Sequence, residues 1–216
     1  MLSNLYKVLV KYFPLFMEGM GVTLLLSLVT VILGALIGTL LALMRLSKNK
    51  ILRIISETYT EVVRGIPLLL QLWVIYLLLS SSLGKVVAVC IAMFLNSAAY
   101  VSEIIRSGIQ AVDKGQVEAS RSLGINSKLT MIKIVLPQAI KNILPALGNE
   151  FVTVIKETSL SSVFYIGDLM TAKTIITAQT YLALEPYIII GLIYFILTFS
   201  LSKIIGLMEK RLKTSD

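Results

Sequence analysis

The chain has 216 residues, 56% of them hydrophobic, and a mean hydropathy of +0.88, above the roughly 45–50% apolar content of ordinary soluble domains. It has no histidine and one cysteine, which excludes imidazole catalysis, histidine metal sites and an internal disulfide. The net charge of +8 does not describe a nucleic-acid binder, because the basic residues fall in separated clusters between long uncharged runs.

In chain order, an amphipathic lead-in over about residues 3–14 precedes a first span that runs to about Arg45 and includes the uncharged stretch Gly19 to Met44. A spanning helix needs about 20 mostly apolar residues. In lipid its backbone must be satisfied internally, so such a run is helical. It is too long for a signal-peptide apolar region, and no small-residue cleavage site follows. Within it, "GALIG" (Gly34 to Gly38) sets two glycines four apart, a spacing that lets helix backbones approach closely and that an ordinary membrane helix also tolerates.

After the turn "SKNKILR", a second span grows out of "SETYTEVVRGIPLLLQLWVIYLLL". Glu61 and Arg64 lie one turn apart and read as an i, i+3 ion pair; Gln71 lies deeper, within reach of a transport path. The third span, about Val86 to Ser107, carries Asn96, Tyr100 and Glu103 at i, i+4 and i+7. At 100° per residue these fall within about 60° of one another, with Ser97 beside them. Intramembrane polar groups are costly, so each is a candidate site; the alternatives are inter-helix hydrogen bonds or a Glu103–Arg106 pair.

A charged loop over about residues 112–136 leads to a fourth, less hydrophobic span beginning near Pro137. That span is interrupted at "NEFVTVIKETSLSS", which holds Glu150, Lys156, Glu157, Thr158, Ser159, Ser161 and Ser162. Broken backbone at membrane depth is tolerated where it lines protein or a cavity, so the interruption reads as a helix break along a central path; an outer loop is the alternative. The last span covers about Pro186 to Leu207. No internal repeat is evident, and one domain, residues 1–216, is expected.

Arg45, Lys48, Lys50 and Arg53 form one basic cluster; Arg106, Lys114, Arg121, Lys128, Lys133 and Lys141 a second; Lys203, Lys210, Arg211 and Lys213 a third. Their alternation with basic-poor regions follows the positive-inside rule. It predicts an N-terminus outside, a C-terminus inside and five transmembrane helices. No G-x-x-x-x-G-K-[ST] phosphate loop is present, so this chain is not expected to bind ATP or to catalyse a reaction, and no metal site is expected.

The charged loop resembles the EAA loop of ABC importer permeases. That pattern is E-A-A, three residues, G, nine residues, I-x-L-P. Here it reads Glu118-Ala119-Ser120, three residues, Gly124, nine residues, Ile134-Val135-Leu136-Pro137, with Ser120 for the second alanine the one departure. "EVVRGIPLLLQLWVIY", "SAAYVSEIIRSGIQAVDKGQVEAS" and "VIKETSLSSV" resemble the subfamily that imports polar amino acids of the histidine, glutamine and arginine type. The resemblance implies an all-α membrane protein of the type I ABC importer permease fold with a cytoplasmic coupling helix in a prokaryotic inner membrane. It also implies two cytoplasmic ATPase subunits that bind ATP and Mg, a second permease chain (a homodimer is expected) and an extracytoplasmic amino acid binding protein.

Gln116, Glu118, Ala119, Ser120, Leu123 and Gly124 are then the residues expected to couple to the ATPase. Glu118 complements the helix dipole or caps the helix, Gly124 suits a left-handed helix stop, and Pro137 suits the first turn of the next helix. Substrate contacts are expected from Asn96, Ser97, Tyr100, Glu103, Glu150, Glu157, Ser159, Ser161 and Gln71. The carboxylates would hold an ammonium or guanidinium, and Asn96 and the serines would orient a carboxylate. The acidic count favours a basic amino acid such as arginine, lysine or histidine. The alternatives are glutamine as cargo, or an ion-coupled secondary transporter, for which inverted repeats would be the sign.

Overall fold

Uncharged runs with no water to bond to fold on themselves, and the computed structural model contains helices and no strand among its described residues, which are 1–213 without the side chain of Lys213. The helices are α1 (Leu2–Leu46), α2 (Lys50–Gly65), α3 (Leu68–Leu83), α4 (Lys85–Gln110), α5 (Lys114–Ser122), α6 (Ser127–Thr130), α7 (Leu136–Glu157), α8 (Leu169–Thr180) and α9 (Leu184–Lys213). A π turn, Met131–Val135, joins α6 to α7, and a 3-10 segment, Thr158–Phe164, follows α7.

Three boundaries differ from expectation. The amphipathic lead-in and first span are one 45-residue helix that passes through Pro14. Pro14 leaves the Val10 carbonyl without its helical donor, and both residues are exposed, so that carbonyl sits on an outer face. The second span is two helices meeting at 107°. Pro67 drives this break: it pushes the preceding residue out of the helical region, and Ile66 is extended at φ −103°, ψ 134°. The sequence after the "KETSLSS" break holds a helix, α8, that was not anticipated; Asp168 starts it by accepting from the Met170 amide.

By length and composition α1, α4 and α9 are able to cross a membrane, and a fourth span is possible if α2 and α3 count as one. α7 has 22 residues but falls short of that test, diluted by Gln138, Lys141, Asn142, Asn149 and Glu150.

The contacts divide the chain into two compact units, each assembled from segments distant in sequence. One comprises Met1–Ile32, Pro67–Phe94 and Phe151–Ser202; the other comprises Leu33–Ile66, Leu95–Glu150 and the chain from Lys203. The first has two apolar clusters. Leu26, Leu72, Val89, Met93, Val154 and Phe164 form one, with Trp73 and Tyr76 rings 4.8 and 4.5 Å from Phe164. Phe16, Leu169, Ile176, Ile189 and Ile190 anchor the other. Thr23 Oγ1 accepts from the Leu169 amide at 3.1 Å in its interior.

The second unit is built on the close approach of α1 and α4. A Cβ on Gly34 would lie 2.9 Å from Ser97 Oγ, and one on Gly38 would lie 2.7 Å from Val101 Cβ and 2.8 Å from the Ala98 carbonyl. The "GALIG" stretch is therefore a helix-crossing motif, with hydrogen in place of side chains where the two backbones meet. Ser56 Oγ donates to the Leu41 carbonyl and Tyr59 Oη to the Leu95 carbonyl, each at 2.7 Å, which fixes α2 in the same unit.

Candidate functional site

The charged loop folds into a helical hairpin. α5 begins at Asp113, whose carboxylate accepts from the Gly115 amide at 2.6 Å. Asp113 is thus the cap, and Glu118 lies a turn further in, exposed on the helix side. α5 ends where Gly124 turns left-handed at φ +79°. The Gly124 amide then reaches the Arg121 carbonyl, and the Ile125 amide reaches the Ser120 carbonyl, which satisfies the last turn. Asn126 opens the return helix by accepting from the Leu129 amide.

Gln116, Glu118 and Ala119 are exposed, and Leu123 is 80% exposed at the tip. Ser120 faces inward. It is 3% exposed and its hydroxyl bonds the Thr130 hydroxyl at 2.8 Å, so it braces the hairpin and presents no outer surface. Beneath it Val112, Val135 and Ala139 are buried, with Val117 packed on them. Pro137 does not open a new helix. The run from Ser127 is continuous through the π turn, in which the Leu136 amide reaches the Met131 carbonyl. A π turn accommodates the extra bulk and missing donor of a proline within a helix.

On α4, Asn96 and Ser97 are buried, and Ser97 Oγ donates to Glu150 Oε1 at 3.1 Å. Tyr100 lies under the Arg64 guanidinium at 5.4 Å from its centroid, a cation–π contact. Arg64 takes this in place of the expected pairing, and no Glu61–Arg64 ion pair exists among the described residues. Glu103 is bracketed by two guanidinium groups. Arg45 Nη1 donates to it at 2.7 Å, Arg106 Nε donates at 3.0 Å and Arg106 Nη2 bonds its other oxygen; Arg45 also lies 3.8 Å from Glu57. The predicted α4 stripe thus divides. Asn96 and Ser97 join Glu150, while Glu103 belongs to an ion-pair network tying α1, α2 and α4.

That network is partly buried, so its worth lies between an exposed pair and a fully desolvated one. Glu103→Gln is expected to lower the stability of the detergent-solubilised protein by about 1–2 kcal/mol. Adding Arg45→Gln should cost less than the sum of the two single changes. Thermal unfolding of the three variants measures this, and strict additivity would mean that the pair does not interact.

At the break after α7 the hydroxyls bond back onto the backbone. Thr158, Ser159 and Ser162 donate to the carbonyls of Ile155, Lys156 and Ser159, each at 2.7 Å. The hydroxyls thus take up carbonyls that the end of the helix leaves without amide donors. Ser161 is fully buried and its hydroxyl has no hydrogen-bond partner. Glu157 and Gln71 are half-buried. A cavity of about 320 Å³ adjoins this segment, lined by Lys156, Ser159, Tyr187 and Tyr194 among others. Tyr187, Tyr194 and the buried Lys173 behind them were not anticipated. Lys173 reads in sequence as one lysine of a basic-poor region, and only its 8% exposure marks it out.

Residues 32–214 match the family model described as binding-protein-dependent transport system inner membrane component. The arginine transport system permease protein ArtQ of Bacillus subtilis is 44% identical over 207 residues, covering 94% of each chain. A Rickettsia bellii protein provisionally named the glutamine transport system permease GlnP is 43% identical over 218 residues, covering 98% of this chain and all of that one. Among solved structures, a chain from an amino acid ABC transporter crystallised with histidines superposes with a TM-score of 0.91 at 48% identity, over 94% of this chain and 96% of that chain.

Proposed function

The chain belongs to the family of binding-protein-dependent transport system inner membrane components, membrane permease subunits of ABC importers whose ATPase activity lies in separate subunits, and from that premise we propose that it imports basic amino acids by alternating access. The family match over most of the chain carries the importer reading. The relatives named for arginine and glutamine transport, and the transporter crystallised with histidines, support amino acids as the cargo class.

The lean toward arginine, lysine or histidine now rests on Glu150 and Glu157. Glu103 is neutralised by Arg45 and Arg106 and serves as a brace. Asn96, Ser97, Tyr100, Glu150, Glu157, Ser159, Ser161 and Gln71 are retained as the proposed substrate contacts. We further propose five spans, with α7 the fourth, an outside N-terminus and a cytoplasmic C-terminus in the inner membrane of a prokaryote; the alternation of basic clusters supports this.

In this reading α5 docks on one of two cytoplasmic ATPase subunits, which bind ATP and Mg. Its exposed Gln116, Glu118, Ala119 and Leu123, and the EAA spacing, support that role. A second permease copy completes the conduit, because two ATPases need two docking hairpins and closed two-fold pairing is the commonest assembly. An extracytoplasmic binding protein delivers the cargo.

The test is uptake of labelled arginine into proteoliposomes holding permease, ATPase and binding protein. ATP-dependent uptake, inhibited by arginine, lysine or histidine more than by glutamine, is expected. Stronger inhibition by glutamine would overturn the cargo, and uptake driven by an ion gradient without ATP would overturn the mechanism.

A further inference from the structure

Lys173 on α8 is 8% exposed, and a cation so far from water is costly unless its ammonium finds partners. No carboxylate pairs with it among the described residues. Its ammonium instead lies 4.1 Å from the Tyr187 ring centroid and donates to Tyr187 Oη at 3.0 Å. An ammonium has only donors, so the Tyr187 hydroxyl accepts from Lys173 and its own proton must point elsewhere. Tyr187 lines the 320 Å³ cavity, and Lys156, Ser159 and Tyr194 line it with Tyr187.

Lys156 is exposed and makes no ion pair with Glu157, its neighbour in sequence. Ser159 has spent its proton on the Lys156 carbonyl and offers only lone pairs. The cavity therefore presents a cation and a phenolic hydroxyl whose proton is not used by Lys173, with a hydroxyl acceptor beside them and Met170 and Ile190 as apolar walls. Its volume is at the lower end for small-molecule sites, suited to a free amino acid.

We infer that this cavity holds the carboxylate of the transported amino acid, with Lys156 and the Tyr187 hydroxyl as its two contacts and Lys173 positioning Tyr187 from behind. The inference rests on the amino-acid permease reading. It replaces Asn96 and Ser97 as the carboxylate partners and leaves Glu157 for the ammonium end.

The experiment is equilibrium dialysis of labelled L-arginine, with agmatine (the same side chain without the carboxylate) as comparison, against the purified permease–ATPase complex. Binding protein is left out, since it would impose its own selectivity. The wild type is expected to prefer arginine. Lys156→Gln and Tyr187→Phe should each weaken arginine roughly tenfold, the scale of a lost hydrogen bond to a charged group, and leave agmatine unchanged. Lys156→Arg should retain the preference. Lys173→Met should reproduce the Tyr187→Phe loss without adding to it in the double variant.

An unchanged arginine-to-agmatine ratio in both Lys156→Gln and Tyr187→Phe overturns the inference, as it would if a lipid tail filled the cavity. Equal weakening of arginine and agmatine also overturns it. If uptake identifies glutamine as the cargo, the cargo reading fails separately, and the same comparison is made between L-glutamine and 4-aminobutanamide.

Discussion

Gly38→Leu is expected to destabilise the solubilised protein by about 3 kcal/mol, the upper end of ordinary overpacking, and to abolish uptake in proteoliposomes. Even a Cβ at this position would lie 2.7 Å from Val101 Cβ and 2.8 Å from the Ala98 carbonyl. The second of these is backbone and cannot rotate away, so α1 and α4 must separate. Gly34→Ala should act in the same direction more weakly, since its first obstacle is the side chain of Ser97. Gly21→Ala lies on the same helix with nothing within 4 Å of the new Cβ and should be neutral or stabilising by up to about 1 kcal/mol, as for glycine replacement within a helix. Thermal unfolding of the three variants in one detergent checks the order; a Gly38→Leu protein as stable as Gly21→Ala would mean that the helices do not cross there.

Gly124→Asp is expected to leave the chain inserted and folded while uptake falls about tenfold or more, a loss of about 1.4 kcal/mol or more in productive coupling. Space is not the reason, because no atom lies within 4 Å of the added Cβ. The backbone is: φ of +79° costs an L-residue about 1–2 kcal/mol, and a carboxylate at a helix C-terminus opposes the dipole. Both effects act on the turn that presents Leu123. Gly124→Asn, which tolerates the left-handed region and adds no charge, should lose less. The measurement is uptake and ATP hydrolysis in the same proteoliposomes, with hydrolysis persisting as transport fails. Uptake at the wild-type level would remove α5 from the coupling role.

The local signals that proved legible are those with a short-range cause. The charge-free runs lead to helices; Gly124 after Leu123 leads to the end of α5; the serines and threonines after Glu157 lead to a broken helix whose carbonyls are capped by its own hydroxyls. What was not legible depends on partners far away in the chain. Glu103 pairs with Arg45, 58 residues distant, and no spacing rule connects them. Ser120 looked like a small contact residue until Thr130 folded back beside it. Arg64 chose an aromatic ring on α4 over a carboxylate on its own helix. The glycines of "GALIG" were ambiguous because the sequence cannot say what faces them. α8 had a usable local signal, Gly167-Asp168 ahead of an apolar run, which the serine-rich break before it obscured. The buried state of Lys173 had none.

The hairpin closed by the Ser120–Thr130 bond has a thermodynamic corollary. A nine-residue helix alone in water is mostly unfolded, and a partner that had to fold it would lose roughly 1–2 kcal/mol of conformational entropy for each residue ordered. Here the Asp113 cap, the Gly124 stop and the buried Val112, Val135 and Ala139 order α5 in the chain itself. Association at this surface should therefore carry the heat-capacity change of the contact area alone, without the larger one that accompanies coupled folding, and calorimetry of ATPase subunits binding to the permease would register the difference.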